Sequence, residues 1–118
     1  MQRYMERRLG NPNFEMSQIT MLLDAYRCKK LVYPLEDAHL YLQKAKHIVR
    51  GFEAVDYDDA QYKAEMLGEI LKFELDYNLP SFKESLSELQ GCIKELFNVP
   101  SEVIVPYIRA QILLSSER

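Results

Sequence analysis

The chain has 118 residues, of which 47% are hydrophobic and 28% charged, with a net charge of −3. That length supports one domain with its own core, and the apolar content excludes a disordered chain. Four Gly and five Pro are too few for the many turns of an all-β fold, the two Cys fit no metal or redox spacing, and no apolar run approaches a membrane span. The opening MQRYMERRLGN lacks the apolar stretch of a secretory signal. Cys28 and Cys92 read as buried free thiols in a reducing compartment, so a cytoplasmic location is expected.

Residues 2–9 read as a short N-terminal helix carrying Tyr4, Met5 and Leu9, closed by Gly10-Asn11-Pro12-Asn13. A second helix is predicted from about Glu15 to Leu31. Its stripe of Met16, Ile19, Leu22, Leu23 and Tyr26 follows three-and-four spacing. Pro34 suits the first position of the next helix, which needs no N–H there. That helix carries Leu35, Ala38, Leu42, Ala45 and Val49 on one face and stops at Gly51.

Asp56 is placed to cap the longest helix, which ends at Asn78 and Pro80. Its stripe is Ala60, Ala64, Leu67, Leu71 and Leu75, widened by Ile70, Phe73 and Tyr77. Ser81-Phe82-Lys83-Glu84 has the form of a capping box, followed by Phe82, Leu86, Leu89, Ile93 and Leu96 at coiled-coil-like spacing. A last helix runs from about Ser101 towards Leu114, with an interruption or kink expected at Pro106. Residues 1–118 therefore predict a single all-α domain. It is a compact bundle of four main helices with a short N-terminal helix and a kinked C-terminal one.

Charge is unevenly distributed. Residues 1–50 hold nine Lys/Arg against five Asp/Glu, and residues 51–118 hold six against thirteen. Arg27, Lys29 and Lys30 close one helix, Lys44, Lys46 and Arg50 close the next, and Asp56, Asp58 and Asp59 open a third. Each cluster sits where a helix dipole favours its sign, which explains the asymmetry without a binding patch.

Glu36-Asp37-Ala38-His39 has the Glu-x-x-His spacing that di-metal bundles use twice. The only other histidine, His47, has Lys44 three residues before it rather than a Glu, so the tetrapeptide reads as a polar helix start. Glu65 and Glu69 share a face, as in helical Mg²⁺ hydrolases, but no further inward acids accompany them, and a solvated acidic face is the preferred reading. Cys28 lies near a helix C-terminus, whose dipole opposes a thiolate, and Cys92 falls beside Ile93 on a core face. No phosphate loop or nucleophile elbow occurs. Residues 92–112 resemble the generic helix-turn-helix pattern, yet the second helix offers Ser101, Glu102, Arg109 and Gln111 among Val103, Ile104, Val105, Tyr107, Ile108 and Ile112.

These patterns predict no catalytic residue, no metal and no cofactor. The favoured function is a non-enzymatic interaction or regulatory protein acting through a helical surface. The alternatives are a helix-turn-helix DNA regulator using residues 92–112 and, behind it, a carboxylate-metal hydrolase built on Glu65 and Glu69. The C-terminal helix is apolar on most sides, so Ile104, Val105, Ile108, Ile112, Leu113 and Leu114 are expected to form an interface. Its partner is another protein or, as expected here, a second copy in a homodimer, with nucleic acid disfavoured.

Overall fold

The computed structural model describes residues 14–32 and 37–116. The helix expected over residues 2–9 lies outside them, as do Pro34, Leu35 and Glu36. Five helices are described: α1 (Phe14–Val32), α2 (Ala38–Arg50), α3 (Tyr57–Asp76), α4 (Phe82–Ile93) and α5 (Ser101–Ser116). The fold is all-α.

α2 begins later than the proline suggested. Asp37 is extended, and its carboxylate accepts the His39 N–H at 2.9 Å, so the helix starts at Ala38. Ala38, Leu42, Ala45 and Val49 are buried along one face, as the spacing predicted.

α3 begins at the expected cap. The Asp56 carboxylate accepts the Asp59 N–H at 2.9 Å, and the buried Asp59 carboxylate reaches back to the Val55 N–H at 3.0 Å. The helix ends in a Schellman motif. Asn78 takes a positive φ of 56°, the Leu79 N–H reaches the Glu74 carbonyl at 2.8 Å, and the Asn78 N–H reaches that of Leu75 at 3.3 Å.

The capping box at Ser81 does not form. Ser81 is itself helical, with φ −64° and ψ −7°, and its hydroxyl donates to the Glu74 carboxylate instead. Glu84 turns outward to Arg50 at 2.8 Å. A buried carboxylate needs a donor more than an N–H that a nearby carbonyl can satisfy. The Phe82 and Lys83 N–H groups bond back to Leu79 and Pro80 at 3.2 and 3.4 Å.

α3 is the centre of the bundle. Each of the other four helices packs on it, α1 also packs on α2, and α4 on α5. This explains why α3 is buried nearly all round, through Tyr62, Ala64, Met66, Leu67, Ile70, Leu71, Phe73 and Leu75. Gly68 lets α5 come close: a Cβ there would stand 3.3 Å from the Glu102 carbonyl oxygen and 3.5 Å from the Val103 Cα. Pro106, four residues beyond Glu102, supplies no N–H to that carbonyl. The proline is buried within a helix that runs from Ser101 to Ser116, so of the expected interruption or kink the interruption is absent.

Because the two nearest atoms facing Gly68 are backbone, they cannot rotate aside. Gly68→Val is expected to force the helices apart and cost about 1–3 kcal/mol. The check is a lower urea midpoint at unchanged slope; a wild-type midpoint would mean that α3 and α5 are not in close contact there.

Candidate functional site

α5 presents two unlike apolar faces. Val103, Pro106 and Ala110 are buried, with Tyr107 and Leu114 partly buried against the core. On the opposite side Val105, Ile108 and Ile112 are 54%, 48% and 63% exposed, and Leu113 is 38% exposed on a flank. Ile104 is half-buried. Of the six residues expected at an interface, four are thus well exposed, Ile104 borders them, and Leu114 turns towards the core.

The outer face has a definite rhythm. Val105, Ile108 and Ile112 are spaced by three and then four, and Ser101 and Ser115 continue the alternation at either end. A three-four alternation keeps side chains on one line of a helix and is the seam on which another helix packs knobs into holes. Beside it lies a shallow depression lined by Ile108, Gln111, Ile112, Ser115 and Ser116. Glu102 and Arg109 border the seam on one side, and Ile104 and Gln111 border it on the other. Arg109 also reaches Asp76 of α3 at 3.3 Å across solvent-exposed surface.

The other candidates do less. His39 is exposed on the first turn of α2, with Glu36 outside the described residues. Glu65 is paired with Gln61 at 3.4 Å. Among the described residues, no three His, Cys, Asp or Glu side chains come together in a metal-binding group. Elemental analysis after chelator-free purification is expected to return no stoichiometric Fe, Mn or Zn. One metal per chain, lost in His39→Ala, would contradict this.

The segment between α4 and α5, from Lys94 to Pro100, is longer than the short turn of a helix-turn-helix. The outward face of α5 also offers aliphatic groups where base edges need donors and acceptors. Phe97, although 90% exposed, stacks on Tyr57 at 5.4 Å between ring centroids, and the Tyr57 hydroxyl accepts the Phe97 N–H at 3.0 Å. Together they hold that connector in place.

Both cysteines are free, but Cys28 is exposed rather than buried as expected, while Cys92 is half-buried. Burial pushes the Cys92 thiol up, against a smaller opposing effect of Lys63. At pH 8 a disulfide reagent is therefore expected to modify Cys28 first, with Cys92 following at least about tenfold more slowly. Equal rates, read by mass spectrometry, would contradict that placement.

Four basic groups of α1 and α2 meet aromatic faces, a feature the sequence reading missed. Lys30 lies 4.5 Å from the Tyr77 ring centroid, Lys29 and Lys44 lie 5.6 and 6.0 Å from that of Tyr41, and Arg27 lies 5.5 Å from that of Phe73. Only Lys44 on Tyr41, three apart, and Lys30 on Tyr26, four apart and 5.7 Å from its ring centroid, are local signals; the others depend on how the helices pack.

No helix of the described residues is long and apolar enough to cross a membrane. Comparison with family models, curated proteins and solved structures returned no match.

Proposed function

We propose that this chain is a non-enzymatic interaction protein of the cytoplasm that works through the outer face of α5, and that it does so as a homodimer. The observation that carries the reading is the seam of Val105, Ile108 and Ile112, left open while the opposite face of the same helix is already used against the core. Three branched aliphatic side chains in line on water are unfavourable by about 25 cal/mol for each Å² that a partner would cover. An apolar row on an otherwise mixed surface marks an interface, and twofold pairing is the commonest way for identical chains to cover one.

Size-exclusion chromatography with light scattering tests this. The chain has a mass of 13.9 kDa, and the species expected at micromolar concentration is twice that mass, halving on dilution. A single-chain mass throughout, with the protein soluble, would contradict the homodimer.

A further inference from the structure

We infer that the two α5 helices meet antiparallel, with Glu102 of each protomer beside Arg109 of the other. This rests on the dimer proposed above and adds its orientation and register. The seam is Ser101, Val105, Ile108, Ile112 and Ser115, so the residues that flank it are Glu102 and Arg109 on one side and Ile104 and Gln111 on the other. In a helix pair the flanking positions decide which arrangement is tolerated, because oppositely charged flanks attract and like ones repel.

With the twofold axis level with the Pro106–Tyr107 peptide, Val105 packs on Ile108 of the other helix, and Ile112 on Ser101, each contact occurring twice. Glu102 and Arg109 then occupy the same interval between layers on the same side, giving two symmetric ion pairs. Sliding one helix by a heptad places Arg109 against Arg109. A parallel pair sets the charged flank against Ile104 and Gln111 and gives neither charge a partner. Both groups are available: Glu102 is exposed, and the Arg109 side chain is 45% exposed while touching Asp76. Its guanidinium has five donors, enough for both carboxylates.

The test combines charge reversal with a distance measured in the full chain. Glu102→Arg and Arg109→Glu are each expected to weaken the dimer about tenfold, and the double variant to recover to within about threefold of wild type. Asp76→Asn, which removes only the contact within the chain, should leave the dissociation constant unchanged. A nitroxide on Ser116→Cys, with Cys28→Ser and Cys92→Ala in the background, should give an interlabel distance of about 30 Å from the rise per residue. A distance about half as long, or charge reversals that add rather than cancel, would overturn the antiparallel arrangement and leave the dimer standing. A native chain that is monomeric would overturn the dimer and this inference together.

Discussion

Glutamate in place of Val105 or Ile108 is expected to turn the dimer into a folded monomer. By twofold symmetry each substitution puts two carboxylates into the centre of the interface, where the layers are built from Val105 and Ile108, and burying a charge there costs far more than the contact removed. The dissociation constant should rise by about a hundredfold or more, equivalent to about 3 kcal/mol. Thermal and urea unfolding of the diluted chain should change little, because both side chains are about half exposed in the single protomer. Leu113→Glu lies on the flank and should act more weakly. Lys44→Glu, on exposed surface of α2, should not change association at all. Equal effects of Lys44→Glu and Val105→Glu would point to general charge repulsion and against a seam.

The second large effect belongs to the interior. Glu74 is completely buried, with the Lys46 ammonium of α2 at 3.2 Å and the Ser81 hydroxyl as its other partner. Among the described residues one of its oxygens has no hydrogen-bond partner, and the nearby helix α4 buries a further hydroxyl without one at Ser85. Lys46→Met removes the cation and strands the carboxylate, which is expected to cost about 3–5 kcal/mol. Combining it with Glu74→Leu removes both charges, and stability should return to wild type or exceed it by about 1–4 kcal/mol, because the pair is incompletely satisfied. Urea midpoints of the single and double variants decide the matter. A double variant as weak as Lys46→Met would mean that the charges matter less than the shape of the site.

The helices were legible in the sequence where their determinants are local. Asp56 caps α3 and Asn78 ends it because each acts on backbone groups within a few residues. The stripe of Ala38, Leu42, Ala45 and Val49 needs only the helical period. Ser81 was misread because its hydroxyl serves a carboxylate seven residues earlier, whose burial depends on α2 packing against α3. The centrality of α3 was hidden for a related reason. Its enclosed surface includes Asp59, Gly68 and Glu74, which a hydrophobic pattern counts as open. In α5 the opposite holds. Apolar residues on most sides say that the helix needs two partners, but only the structure separates Val103, Pro106 and Ala110, which face the core, from Val105, Ile108 and Ile112, which do not.

The most direct measurement is methyl NMR of the native chain in the presence of a soluble paramagnetic agent, repeated across a dilution series. At high concentration the Val105, Ile108 and Ile112 methyls should be shielded like those of the buried Ile19 and Ile70, and on dilution they should become accessible while Ile19 and Ile70 stay protected. Methyls on the outer face of α5 that remain fully accessible at every concentration would contradict the covering of that face by a second copy.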